Sequence, residues 1–102
     1  MPQVRSQQEI LTKMAGKRGL ILFFADWCFH CQQFLPAWKQ LEQMSKRNPQ
    51  TVMLSVDAVK YKSLADAYGV QGFPTIFVVN HQSRVVKYTG SRDIRTLAKF
   101  VT

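Results

Sequence analysis

The sequence predicts an α/β domain in which a mixed β-sheet carries helices on both faces. At 102 residues and 46% hydrophobic composition, the chain can bury one core without disulfide or metal staples. Residues 20–24 form a short, continuously apolar run, which is typical of a strand buried on both faces. A long stretch of helical spacing and then a second strand pattern follow, which is the order of a right-handed βαβ unit.

The first half of the chain supplies three of the predicted elements. Ser6 and Glu9 have capping-box spacing, and an apolar face then continues to Gly16, which predicts a helix of about three turns. Residues around Val4 are expected to add a short edge strand. A helical pattern runs from the residues after Cys28 to about Arg47, and Pro36 inside it should kink the helix because it removes a backbone hydrogen bond.

The second half predicts a strand at 52–56, a short helix at 61–68 that ends at a glycine, and two strands at 75–79 and 85–88. The connection between the last two strands is short enough to make them an antiparallel hairpin. Ser91 is expected to cap a final helix with one apolar face.

The charge balance suggests an acidic partner, since 14 Lys and Arg face 6 Asp and Glu and give a formal net charge of +8. No run of basic residues exceeds two, however, so we expect a solvated basic surface and no nucleic-acid partner. No apolar run approaches the ~20 residues of a membrane span, and the N-terminus has no apolar leader. These features predict a cytoplasmic chain with no membrane partner. An ER-type compartment stays open if the sequence is a trimmed piece.

The two cysteines carry the chemistry. Cys28 and Cys31 stand three positions apart, directly after a buried strand and at the start of a helix, where free backbone N–H groups favour a thiolate. This spacing predicts a redox pair with Cys28 as the exposed attacking thiol and Cys31 as the more buried resolving thiol. His30 lies between them, and its imidazole would stabilise the Cys28 thiolate and make the pair more oxidising.

Other uses of the same residues stay open. The cysteines could form a structural disulfide or an inert pair, or they could make half of a metal site with His30 that a second copy completes. Because His81 stands alone, a four-ligand zinc finger is excluded, and we expect neither a metal nor a cofactor. Phe29 either forms an apolar platform for substrate or packs on Trp27 or Phe73.

The sequence resembles the thioredoxin superfamily in three places: residues 24–31 with Pro36, the segment 72–75, and Gly90. Its Cys-x-His-Cys form is most similar to a protein disulfide isomerase-type catalytic domain. The resemblance implies a thioredoxin fold and thiol–disulfide exchange with protein substrates and with an unknown electron donor or acceptor. Since the sequence contains no linker, repeat or low-complexity stretch, we expect a single domain of residues 1–102, and we expect a monomer. The net direction of exchange stays open.

The resemblance also implies residue roles. Pro74 matches a cis-proline that faces the cysteine pair, and the neighbouring Phe73 would present its backbone to an extended substrate. The remaining matched or predicted substrate-binding residues are Trp27, Phe29, Gly72 and Gly90. Arg92 matches an arginine that swings towards the resolving cysteine and lowers its pKa.

One departure from the family pattern concerns proton transfer. Leu22 occupies the position of a buried acid, six residues before Cys28, and Met53 occupies the position of that acid's lysine partner. Asp26 belongs at the surface and should not replace the acid. We therefore expect the deprotonation of Cys31 to rely on water, Arg92 or the substrate, and to be slow at neutral pH.

The leading hypothesis is a thiol–disulfide oxidoreductase that acts on protein disulfides. The alternative is a non-enzymatic adaptor or redox sensor of the same fold, whose basic face binds a partner. Steep salt dependence of nucleic-acid binding would favour the second hypothesis.

Overall fold

The computed structural model describes residues 3–102, and its elements follow the predicted order. They are α1 (Gln7–Met14), β1 (Arg18–Phe24), α2 (Phe29–Lys46), β2 (Thr51–Asp57), α3 (Lys62–Ala67), β3 (Thr75–Val79), β4 (Val85–Lys87) and α4 (Ile94–Ala98). The strands lie in the order β2-β1-β3-β4, with β1 parallel to β2 and antiparallel to β3. Strands β3 and β4 form the predicted antiparallel hairpin. The mixed sheet of the thioredoxin fold is thus confirmed.

Both faces of β1 are buried, which explains why residues 20–24 are all apolar. Leu20, Leu22 and Phe24 point into a core that includes residues of α2 and α4. Ile21 and Phe23 point to the other face, into a core that includes residues of α1 and α3. Because consecutive strand residues face opposite sides of a sheet, a strand covered on both sides has no polar position to offer.

Strand β1 also contains a glycine that the packing requires. Gly19 pairs with Val52 of β2, and a Cβ at position 19 would lie 1.8 Å from the Val52 carbonyl oxygen. No side chain fits that space, so the two strands can approach each other here only because residue 19 is glycine.

The N-terminal helix is shorter than predicted, with eight residues instead of three turns. One of the two hydrogen bonds of the predicted capping box is present: the Ser6 hydroxyl accepts from the Glu9 N–H at 3.2 Å. The Glu9 carboxylate, however, accepts from the N–H of Arg5 at 3.0 Å. The expected edge strand is present as one bridge, in which the N–H of Val4 donates to the Ser55 carbonyl at 2.8 Å.

The cap of the last helix differs from the prediction of Ser91. Asp93 is the N-cap of α4, and its carboxylate accepts from the Thr96 N–H at 2.8 Å. Ser91 acts one step away, because its hydroxyl donates to Asp93 at 2.6 Å. Hydrogen bonds from the Ser91 hydroxyl and from Thr96 lower the pKa of Asp93 below its ordinary value.

Helix α2 runs without interruption through Pro36; the kink expected there stays a prediction. Its inward stripe is as predicted, with Phe34, Trp38 and Leu41 buried. Within residues 3–102, no helix has the length and apolar character needed to cross a bilayer.

Candidate functional site

The cysteine pair lies where β1 turns into α2. After the strand, the N–H of Cys28 donates to the Ala25 carbonyl at 3.0 Å, which closes a tight turn. Cys28 is the N-cap of α2, as its position after the strand predicted. The side-chain amide of Gln32 donates to the Asp26 carbonyl at 2.9 Å and ties the turn to the helix. The first turn of α2 therefore presents its free N–H groups to the Cys28 sulfur.

Both thiols are free and largely covered. Cys28 is 8% exposed and Cys31 is 4% exposed. The prediction of an exposed Cys28 is thus wrong, although Cys28 is the less buried of the two. One reason is a contact from far along the chain: the Cys28 thiol donates to the carbonyl oxygen of Phe73, with 3.6 Å between sulfur and oxygen.

The two thiols differ in acidity. Burial raises the pKa of Cys28, but the backbone N–H of Cys31, the Cys31 thiol, the backbone N–H of His30 and the charge of Arg92 outweigh it. The net effect is a Cys28 pKa below the ordinary value of 9.0. His30 acts here through its backbone, so the role of its imidazole stays a prediction.

Cys31 shifts in the opposite direction. Burial is the largest cause, the neighbouring Cys28 adds to it, and together they raise the pKa of Cys31 to about 11. A hydrogen bond with the backbone of Ala25 and the charge of Arg92 both lower the pKa of Cys31, but they do not cancel the rise. At neutral pH the pair therefore combines an acidic thiol with one that holds its proton.

The floor beneath the cysteines is apolar. Leu22 and Met53, 1% and 5% exposed, belong to the same buried cluster as the two cysteines and Trp38. The buried members of that cluster are all apolar side chains or cysteines, so none of them can accept the Cys31 proton while Cys28 is held in a disulfide. The two positions identified in the sequence as departures from the family pattern therefore belong to the same buried cluster as the thiols.

A groove of about 170 Å³ lies beside the thiols. Its lining includes three of the predicted residues, namely Pro74, Gly90 and Arg92. Sequence reasoning missed the other three, Ile76, Tyr88 and Thr89. The peptide bond between Phe73 and Pro74 is cis, as the resemblance implied.

Tyr88 shapes the rim of this groove. Its hydroxyl donates to the Ser91 carbonyl, and a Cβ on Gly90 would come within 2.5 Å of that hydroxyl. A side chain at position 90 would therefore displace the Tyr88 ring. Gly72 contributes only backbone, since its carbonyl accepts from the Thr75 hydroxyl at 2.6 Å. The position of Tyr88 two residues before Gly90 was the one feature of the sequence that could have placed Tyr88 at the groove.

Two aromatic side chains stand in solvent on either side of Cys28 in the sequence. Trp27 is 69% exposed and Phe29 is 64% exposed. Trp27 meets Phe73 edge to face, with 5.9 Å between ring centroids. The Phe29 ring lies 6.1 Å from that of His30, so Phe29 does not take the packed position on Trp27 or Phe73. Exposed aromatic side chains of this size are typical of contact surfaces.

Among residues 3–102, no three His, Cys, Asp or Glu side chains are arranged to hold a metal ion. A metal site completed by a second copy stays a hypothesis.

Comparison with known proteins agrees with the fold. Residues 3–102 match the family model of thioredoxin. The chain is 38% identical over 91 residues to protein disulfide isomerase-like 2-3 of Oryza sativa subsp. japonica, covering 87% of this chain and 20% of that protein. It is 32% identical over 81 residues to the thioredoxin domain-containing protein 5 homolog of Drosophila melanogaster, covering 79% and 20%. The chain thus spans about a fifth of the length of these relatives.

Solved structures show the same fold. The zinc-bound form of human ERp44 superposes with a TM-score of 0.83 at 20% identity, over 99% of this chain and 29% of that one. Fasciola hepatica thioredoxin gives a TM-score of 0.76 at 21% identity, over 99% and 96%. The family resemblance drawn from the cysteine motif is confirmed, and the isomerase-like relatives connect the chain to the thiol–disulfide oxidoreductases. On the match over residues 3–102, the chain belongs to the thioredoxin family.

Proposed function

We propose that this domain exchanges disulfides with protein substrates, with Cys28 as the nucleophile and Cys31 as the resolving thiol. The observation that carries the proposal is that the pKa values of the two thiols at the start of α2 shift in opposite directions. The pKa of Cys28 is lowered, which supplies the attacking thiolate, while that of Cys31 is raised to about 11.

The exchange balances in two steps. The Cys28 thiolate attacks one sulfur of the substrate disulfide, a new S–S bond forms, and the other substrate sulfur leaves as a thiolate that takes up a proton. Cys31 then loses its proton and attacks the Cys28 sulfur, which releases the second substrate thiol. Two electrons pass from the pair to the substrate, and the pair becomes a disulfide; the reverse sequence oxidises the substrate.

The groove supplies the substrate-binding residues of the proposal. An extended substrate segment lies along Pro74 and Gly90, and the Phe73 carbonyl, which now accepts from the Cys28 thiol, becomes a backbone acceptor for it. Arg92 lines the same groove and lowers the pKa of both thiols. Gly72 keeps the approach to the groove free of a side chain.

The exposed aromatic residues set the proposed sequence preference. Phe29 and Trp27 would contact apolar residues beside the substrate cysteine. Replacing Phe29→Gly removes one ring, and we expect kcat/KM to fall about 2- to 10-fold for a peptide disulfide flanked by aromatic residues. A matched peptide flanked by serine is the control and should change little; equal losses for both peptides would contradict the role of Phe29.

The proposed activity is tested by reduction of insulin with dithiothreitol as electron source. We expect Cys28→Ser to lose the catalysed reaction. Cys31→Ser is the matched variant, because it keeps the nucleophile and should accumulate a mixed disulfide that mass spectrometry detects. If Cys28→Ser is as active as the wild type, the assignment of the nucleophile is wrong.

The net direction depends on the redox potential of the pair. Equilibration with glutathione measures it, and a value near about −270 mV favours a reductase, whereas one near about −180 mV favours an isomerase or oxidase. A more negative potential in His30→Pro would support the proposed effect of the imidazole; an unchanged potential would remove it.

A further inference from the structure

Folding collects basic side chains at the end of the sheet opposite the cysteines. Strand β1 runs from Arg18 at this end to Phe24 at the thiol end. We call the basic end the basic pole and define it by seven of the fourteen Lys and Arg: Lys13, Lys17, Arg18, Lys46, Arg47, Arg84 and Lys99. In the sequence they lie in separate short groups, so the cluster exists only in the fold.

Hydrogen bonds and strand register connect the members of the basic pole. Arg18 pairs with Thr51 at the start of β2, which follows the end of α2 and thus Lys46 and Arg47. The Arg18 guanidinium donates to the carbonyl of Lys99 at 3.4 Å, which brings the end of α4 to the same place.

Two further elements reach the basic pole. Lys13 and Lys17 line one groove beside the start of β2. Arg84 precedes Val85, which pairs with Val79, and Val79 in turn pairs with Gly19 near the start of β1.

Among the described residues, acidic side chains are scarce at this end and none forms an ion pair with the basic pole. Among residues 3–102, the ion pairs join Arg5 to Glu9 and Lys62 to Asp66, and neither pair involves the basic pole. Asp26, Asp57 and Asp93 lie at the thiol end, after β1, at the end of β2 and at the start of α4 respectively. Glu42 is the nearest acid in sequence, one turn before Lys46, and it makes no ion pair with it.

Helix dipoles explain only part of the cluster. Helices α1, α2 and α4 end at the basic pole, and a cation in the last turn of a helix is stabilising. Lys13 and Lys46 fit that explanation. Lys17, Arg18 and Arg84 lie in turns or at the start of a strand, where no helix dipole calls for a cation.

We propose that the basic pole is a docking surface for an acidic polypeptide segment. The groove between Lys13 and Lys17 has a volume of about 360 Å³, and Val52, Met53 and Leu54 contribute to its lining. A partly apolar groove with cations beside it suits a chain that alternates carboxylates with apolar side chains. Attraction between opposite charges would guide such a segment to this end of the molecule.

Other anionic partners fit less well. Single-stranded nucleic acid binds through aromatic side chains on which bases stack, and the large aromatic side chains that are exposed within residues 3–102, Trp27 and Phe29, lie at the thiol end. A lipid surface is flat and offers no side chain for the groove beside Lys13.

The basic pole and the cysteines can be occupied together. Seven residues of β1 separate them, which corresponds to about 20 Å. The docking surface therefore does not depend on the proposed thiol chemistry, and a segment bound there leaves the groove beside Cys28 open.

The experiment measures fluorescence anisotropy of a short labelled peptide of Glu and Ser with a central Leu. We expect binding that weakens as salt rises, and about tenfold weaker binding by the double variant Lys13→Gln, Lys17→Gln, as two surface charge contacts would give. The control double variant is Lys39→Gln, Lys60→Gln, which removes the same charge from exposed positions outside the basic pole. It should stay within about twofold of the wild type.

Further measurements test the role of the groove and distinguish an acidic peptide from other anionic partners. Replacing the central Leu of the peptide by Ser should weaken binding if the groove takes that side chain, and Cys28→Ser should bind the peptide as the wild type does. The proposal is overturned if the peptide does not bind, if both double variants weaken binding equally, or if the Leu has no effect. It is also overturned if duplex DNA or phosphatidylserine vesicles bind more tightly than the peptide.

Discussion

Restoring a buried acid with Leu22→Glu tests the account of Cys31 most directly. With a pKa of about 11, roughly one Cys31 thiol in ten thousand is ionised at pH 7. No buried member of the cluster around Leu22 can take the proton. In the mixed disulfide Cys28 carries no charge, but burial still raises the pKa of Cys31. The rate of attack by Cys31 in the wild type should therefore rise about tenfold for each pH unit while the pH lies below that pKa, because the rate follows the thiolate population.

A carboxylate at position 22 changes that dependence. Burial would raise the pKa of the new carboxyl towards neutral pH, where it can act as a general base. Positioned general bases supply about 10²–10⁴-fold. Since this one is introduced into a site not shaped for it, we expect at least about a tenfold gain at pH 7 and a flatter pH profile.

The assay isolates the second step of the exchange. The Cys28 thiol is first joined in a mixed disulfide to thionitrobenzoate, and attack by Cys31 then releases the coloured thionitrobenzoate anion, which stopped-flow absorbance follows. The leaving group needs no proton, so the rate reports the deprotonation and attack of Cys31.

The matched control is Leu22→Gln, which puts a polar side chain of the same size in the cluster but supplies no general base. Both variants lose the packing of a leucine that is 1% exposed and should be about 2–5 kcal/mol less stable, so thermal melts must first show that they fold. A folded Leu22→Glu that is no faster than Leu22→Gln would refute the reasoning.

Three further predictions concern charge, packing and capping. Arg92→Gln should raise the pKa of Cys28 and slow its alkylation by iodoacetamide at pH 7 a few-fold; an unchanged rate would show that the Arg92 charge does not reach the thiol. Gly19→Ala should lower the free energy of unfolding in urea by more than about 3 kcal/mol, while Gly72→Ala, whose Cβ meets nothing within 4 Å, should change it by less than about 0.5 kcal/mol. The lowered pKa of Asp93 means that its stabilisation is complete above the unfolded value of 3.8 and is lost as pH falls through the folded value. Asp93→Asn should therefore melt below the wild type at pH 7 and approach it at the lowest pH, whereas a constant difference in circular dichroism melts would contradict the ionic cap.

The backbone elements were predictable because their patterns are local. The apolar run of β1 and the stripe of Phe34, Trp38 and Leu41 in α2 depend only on which faces are buried. The position of Cys28 at the start of a helix was likewise readable, since the strand pattern ends just before it.

Other features depend on residues that are distant in sequence. Cys28 is covered by the carbonyl of Phe73, 45 residues later. Every residue has a backbone carbonyl, so the sequence does not indicate which one covers the thiol. The choice of Asp93 over Ser91 as a cap is decided by where the first turn of α4 begins, because either side chain could accept the N–H. The basic pole was not predictable because its members are separated along the chain and meet only through strand pairing and the hydrogen bond from Arg18 to Lys99.

The two tryptophans give the molecule its own optical reporters. Trp38 is fully buried in the core beneath the cysteines, while Trp27 stands 69% exposed beside them. A soluble quencher such as acrylamide should reach Trp27 and spare Trp38, so the two emissions separate without any added label. Red-shifted emission then follows events at the thiols, and blue-shifted emission follows the integrity of the core.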